Sequence, residues 1–198
     1  MEESAEDLAP WMERYQNGDG AAFEALYAAL AGPLRRYLLG LARNSTLAED
    51  LLQETFLQLH RARRSYQPGR PVRPWAFAIA RHVALMDRRT RSRKPLESFP
   101  EGEAPEVPVP AEAEAFGDRD SIRSALATLP HDRREAIVLH HVAGLSFQEI
   151  GSALGIRSGA AKLRAHRGMV MLRELIRGPR ARTPEPSRSE TESSEDAS

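Results

Sequence analysis

Lys162, Arg164, His166, Arg167 and Arg173 stand close together near the C-terminal end of the chain. Ammonium and guanidinium donors at helical spacing can pair with phosphates and reach the O6 and N7 of guanine in a major groove. Between them, Ala161, Ala165, Leu172 and Ile176 recur at the spacing of an inward stripe. A solvated basic helix would have the same composition, so the residues upstream decide between the two. Ser146 and Glu149 have capping-box spacing, Ile150, Ala153 and Leu154 give a short buried face, Gly155 supplies a tight turn and Ser158 can cap the next helix. Two short helices with glycine in the turn and long polar side chains on the second predict a DNA-binding helix-turn-helix.

A second candidate lies in "SYQPGRPVRPW", Ser65 to Trp75, where aromatics flank a stretch stiffened by Pro68, Pro71 and Pro74 and carrying Arg70 and Arg73. Ring faces, a restricted backbone and positive charge together suit single-stranded nucleic acid. Without context the loop fits a structural connector equally well. A third candidate is "STLAEDLLQETF", Ser45 to Phe56. Thr46 and Glu49 have the spacing of a capping box, and Ala48, Leu51, Leu52, Thr55, Phe56 and Leu59 follow the rhythm of a buried helical stripe. Beside it Asp50, Gln53, Glu54, Leu57 and Arg61 repeat at the same interval, as a solvated face or a partner surface.

Enzyme chemistry is weakly represented. His140 and His141 are adjacent, so a helix points them about 100° apart, away from the i, i+4 spacing of two metal ligands. No glycine-rich phosphate loop or Ser or Cys nucleophile motif appears. No catalytic residue, metal or cofactor is expected.

The elements that must position these residues are helical. The sequence predicts helices over about 21–43, with Phe23, Leu26, Tyr27, Leu30, Leu34, Leu38 and Leu41 at helical spacing and a kink at Gly32 and Pro33, then from Ser45, then over about 74–91. Four more are expected C-terminally, with Pro130 separating "DSIRSALATL" from "DRREAIVLHHVA". Strand signals are absent. The expected fold is all-α: two small helical domains, an N-terminal bundle over 10–94 and a C-terminal helix-turn-helix domain over 119–178. They are joined by an acidic, Pro-rich flexible linker over 95–118, and a disordered tail over 179–198 follows.

The 198 residues carry 28 basic and 28 acidic side chains, but the two are segregated. Residues 59–94 hold 11 basic and 1 acidic, residues 95–118 hold 0 and 7, and residues 119–178 hold 10 and 5. Two basic blocks separated by an acidic strip suit a protein that grips a polyanion in two places. The absence of cysteine fits a reducing compartment, the first residues "MEESAED" are acidic where a signal peptide is basic, and no apolar run would span a bilayer. A cytoplasmic location is expected.

In order along the chain, "AEDLLQETFLQLHR", "RPWAFAIARHVALMDRRTR" and "LATLPHDRREAIVLHHVAGLSFQEIGSALGIRSGAAKLRAHRGMVMLR" resemble bacterial sigma factors of the extracytoplasmic-function group in the sigma-70 family. The resemblance runs from about Gly20 to Arg177. It implies a factor that binds core RNA polymerase, melts promoter DNA with its N-terminal domain and reads the minus-35 element with its C-terminal one. It assigns Asp50, Gln53, Glu54 and Leu57 to the clamp helices of the polymerase's largest subunit. Tyr66, Arg70, Arg73, Trp75, His82, Arg88 and Arg89 go to single-stranded minus-10 DNA, and Ser158, Lys162, Leu163, His166 and Arg167 to double-stranded minus-35 DNA. An anti-sigma factor is a further partner of many relatives. The chain departs from the family pattern at His82, where Asn is usual, and at Ala161, Leu163 and Ala165. A self-sufficient regulator would use the helix-turn-helix too, but has no need of the acidic strip and basic loop.

Overall fold

The computed structural model describes residues 7–42, 44–93 and 119–177, and all regular structure among them is helical. The expected linker over 95–118 and tail over 179–198 lie outside the described residues. The N-terminal half holds α1 (Ala9–Gln16), α2 (Gly20–Leu41), α3 (Ser45–Ala62) and α4 (Val72–Arg93), with a short 3₁₀ turn over Arg63–Ser65. The C-terminal half holds α5 (Arg119–Thr128), α6 (His131–Ile137), which widens into a π-type turn over Val138–Val142, then α7 (Phe147–Leu154) and α8 (Ser158–Arg177).

Helix α1 leaves almost no trace in the sequence, because only Met12 and Tyr15 of its eight residues are buried. Helix α2 continues through Pro33 without a break. The backbone hydrogen bond that proline removes is outweighed by the burial of Leu26, Leu30, Leu34, Tyr37 and Leu38 along one face. On α3 the expected stripe is buried, with Thr55 tolerated because its hydroxyl donates to the Leu51 carbonyl at 2.6 Å.

The start of α3 differs from the expected capping box. Asn44, in extended conformation, caps the helix by accepting from the Leu47 backbone N–H at 2.7 Å, while Glu49 turns away to pair with Arg35. A side chain just outside the helix reaches those orphan donors, whereas Thr46 already lies within the first turn. Asn44→Ala should therefore lower stability by about 1 kcal/mol, read as a fall in the thermal midpoint by circular dichroism, while Thr46→Ala should change it little.

One hydrophobic core runs through both halves. Leu26, Leu38, Leu59 and Phe77 of the N-terminal half belong to the same buried cluster as Val138, Leu139, Leu145 and Ile150 of the C-terminal half. A second, smaller cluster joins Ile122, Leu126, Ile137, Met169 and Leu172 within the C-terminal half.

Candidate nucleic-acid interface

The helix-turn-helix is built as its sequence requires. Ser146 caps α7 by accepting from the Glu149 backbone N–H at 3.2 Å, and Glu149 accepts from the Ser146 backbone N–H at 2.8 Å. Gly155 ends the helix at φ +67°, which a side chain disfavours. A closer constraint sits at Gly151, where a Cβ would lie 2.8 Å from the Ile156 carbonyl oxygen. Helix α8 then runs from Ser158, which is its first residue, and buries Ala161, Ala165 and Leu172 against the domain.

Its other faces are exposed. Ser158, Lys162 and His166 form one exposed ridge at i, i+4, i+8, and Leu163 and Arg167 form a second at i, i+4. Leu163 is 46 % exposed, an apolar side chain placed where thymine methyls could be met. Arg164 does not join them: it is half-buried and lies 3.8 Å from Asp132.

In the N-terminal half the loop between α3 and α4 is a braced structure. Gln16 of α1 donates to the carbonyls of Arg64 at 3.2 Å and Tyr66 at 3.0 Å, a support the sequence does not reveal because the partners are 48 and 50 residues away. Tyr66, expected to offer a ring face, is only 3 % exposed. Its ring sits 5.3 Å from that of Trp75 and its hydroxyl donates to the Arg70 carbonyl. A buried phenol needs an acceptor, so Tyr66 turns inward and braces the loop. Burial also raises its pKa, with the carboxylates of Glu13 and Asp7 acting in the same direction. Trp75 is half-buried, Arg70 is exposed, and His82, Arg88 and Arg89 are exposed along α4. Arg73 donates to the Ala143 carbonyl of the C-terminal half at 3.2 Å.

The acidic strip of α3 stands apart from both. Asp50 and Gln53 are exposed, Leu57 is 43 % exposed, and Glu54 accepts from Gln58 at 2.6 Å. Beside it lies a residue absent from the sequence-based site: Tyr27 of α2, 47 % exposed, with its ring 4.6 Å from Phe56. Its helical spacing reads as core, and nothing local distinguishes it from the buried Leu26. His140 is structural. His140 stacks on Phe147 at 4.0 Å, and its Nδ1 lies 2.8 Å from the Leu145 carbonyl oxygen.

Two family models match this arrangement: Sigma-70 region 2 over residues 26–94, and Sigma-70, region 4 over residues 119–172. The chain belongs to the sigma-70 family. It is 42% identical over 169 residues to RNA polymerase sigma factor CarQ of Myxococcus xanthus, covering 83% of this chain and 95% of that one. It is 34% identical over 182 residues to the extracytoplasmic-function (ECF) RNA polymerase sigma factor SigF of Caulobacter vibrioides, covering 89% and 98%. Among solved structures it is similar to CnrH in complex with the cytosolic domain of CnrY, at 25% identity and TM-score 0.64, covering 83% and 93%. The sigma factor RpoE in complex with the anti-sigma factor NepR from Bartonella quintana matches at 27% identity and TM-score 0.64, covering 78% and 96%. As an ECF sigma factor, the chain binds core RNA polymerase and directs promoter-specific transcription initiation. No helix among the described residues of this sigma factor is long and apolar enough to cross a membrane.

Proposed function

We propose a division of labour among three surfaces. The strip of Asp50, Gln53, Glu54 and Leu57 docks on the clamp helices of the polymerase's largest subunit, where acidic and amide groups steer and register a basic partner and Leu57 is buried. The braced loop and the basic side of α4, with Arg70, Arg73, Trp75, His82, Arg88 and Arg89, take the melted minus-10 strand, and Tyr66 braces the loop from within. Helix α8 reads the minus-35 duplex through Ser158, Lys162, Leu163, His166 and Arg167. The observation that supports this reading is the segregation of charge: an exposed acidic strip on α3, and exposed basic faces on α4 and α8. The factor works in the cytoplasm with the polymerase, is not itself a catalyst, needs no cofactor, and has an anti-sigma factor as a further partner.

Promoter selection by the reconstituted holoenzyme tests these assignments. His82→Asn should shift preference at one minus-10 position by about 1–3 kcal/mol, the usual worth of one base contact, with the rest of the selected sequence unchanged. Identical selected promoters for the two proteins would remove His82 from the base-reading set.

The two ridges of α8 should behave differently. Lys162 and Arg167 lie five residues apart, about 140° around the axis, so they cannot do the same job. Arg167→Ala should cost roughly 1–3 kcal/mol on the preferred minus-35 duplex and relax specificity there. Lys162→Ala, as loss of a phosphate contact, should weaken all sequences alike and reduce the salt slope by about one. Binding of both variants to specific and scrambled duplexes at several salt concentrations separates the roles. Equal losses on both duplexes for Arg167→Ala would contradict base reading.

A further inference from the structure

The cations at the start of α8 are left without neutralising partners. Arg157, just before the helix, and Lys162 and Arg167 within it are exposed, and none of the three has an ion-pair partner among the described residues. Cations elsewhere are engaged: Arg164 lies 3.8 Å from Asp132, Arg81 of α4 lies 3.0 Å from Glu135 and Arg91 lies 2.9 Å from Asp87. The one carboxylate of α8, Glu174, stands seven residues beyond Arg167, about two turns away. The first half of the helix is thus a positive face with no acidic residue of its own.

The chain carries a matching anion. After Arg177 come twelve residues, "GPRARTPEPSRS", with Arg180, Arg182 and Arg188 against one acid, Glu185. Residues 190–198, "ETESSEDAS", then hold Glu190, Glu192, Glu195 and Asp196 and no base. The lengths agree. Along α8, Arg167 and Lys162 lie about 15 Å and 22 Å back from Arg177 at 1.5 Å per residue. A chain of the spacer's length averages about 20 Å as a flexible coil and reaches about 40 Å when extended. The acidic run can therefore return over Lys162 and Arg167, while like charge keeps the basic spacer off the helix.

We propose that residues 190–198 dock on the face of α8 around Arg157, Lys162 and Arg167, as an internal stand-in for DNA phosphates that promoter DNA must displace. The inference rests on the assignment of α8 to minus-35 DNA. Each exposed ion pair is weak, but tethering sets the local concentration of the acidic run near millimolar, so a weak contact is still populated. The competitor is also salt-sensitive, because these charges are exposed and readily screened.

The chain has no cysteine, so Ser193→Cys takes a single nitroxide label in the full-length protein. The label should broaden the backbone amide signals of Lys162 to Arg167 in the free factor. Broadening should vanish in about 1 M salt, where charges are screened beyond about 3 Å, and when Glu190, Glu192 and Glu195 become Gln and Asp196 becomes Asn. No broadening on α8, broadening that the neutral tail retains, or broadening centred on Arg88 of α4 overturns the proposal. Duplex binding by the full chain supplies the second arm. At low salt, neutralising the tail should raise affinity about threefold or more, equally for selected minus-35 and scrambled duplexes, since both displace the same occupant. In a Lys162→Gln, Arg167→Gln background the gain should disappear. A gain that persists there means that the tail merely repels DNA, and overturns docking. A chain that binds neither duplex, with the tail charged or neutral, defeats the minus-35 reading of α8 instead, while the amide signals still report docking.

Discussion

Replacing Asp50, Gln53 and Glu54 together by alanine should weaken binding to core RNA polymerase by about 2–4 kcal/mol, the loss expected when the centre of a partner surface is truncated. None of the three belongs to the buried stripe of α3, which consists of Leu47, Ala48, Leu51, Leu52, Thr55, Phe56 and Leu59. The helix should therefore keep its circular dichroism and the domain its thermal midpoint. The single variants should add up to less than the triple if the groups contact one basic surface, because neighbours in a charge network are not independent. Fluorescence titration of labelled factor with core polymerase measures the loss. Unchanged affinity in the triple variant would show that the clamp docks elsewhere. Tyr27→Ala extends the test to the patch beside the strip: a loss of affinity would add α2 to the interface.

The second large effect lies in the turn before the recognition helix. Gly151→Ala should destabilise the fold by roughly 1–3 kcal/mol, the usual cost of forcing a methyl group into a packed site. The obstructing atoms here are the Ile156 carbonyl oxygen at 2.8 Å and the Ser158 nitrogen at 3.2 Å. Both are backbone, so no rotamer change relieves the contact and the turn itself must move. Since α8 starts at Ser158, its tilt moves too, and minus-35 affinity should fall more than stability alone explains. Gly159 supplies the control. A Cβ there meets nothing within 4 Å, and the residue lies in the helix, so Gly159→Ala should be neutral or slightly stabilising. Thermal melts and duplex binding of the two variants make the comparison. A Gly151→Ala protein as stable as wild type would mean that the turn is looser than its contacts indicate.

The features legible in the sequence are those that repeat or sit close together. The stripe of α3, the capping box of α7, Gly155 and the inward alanines of α8 each follow from local periodicity or from one turn's chemistry, and the structure places them accordingly. Long-range pairings were hidden. Tyr37 and Glu135 are 98 residues apart and Arg81 and Glu135 are 54 apart, and no spacing rule connects them. Gly40 has the sequence context of any helical glycine, yet a Cβ there would lie 2.6 Å from a Val138 methyl carbon. Tyr66 departs from its expected role for a related reason. Its type suggested a stacking face, but the fold supplies an acceptor and apolar neighbours that turn it inward. Asn44 and Thr46 show the same limit at short range, where two residues of capping type compete and only the backbone conformation selects one.

Run-off transcription with purified core polymerase on supercoiled genomic fragments tests the central claim most directly. Core polymerase alone should give no specific product, and core polymerase with this chain should give transcripts from a small set of starts. Upstream of each start, one shared minus-35 and minus-10 pair should appear. Transcription that the chain leaves unchanged, or starts that share no upstream sequence, would contradict its action as a promoter-selecting sigma factor.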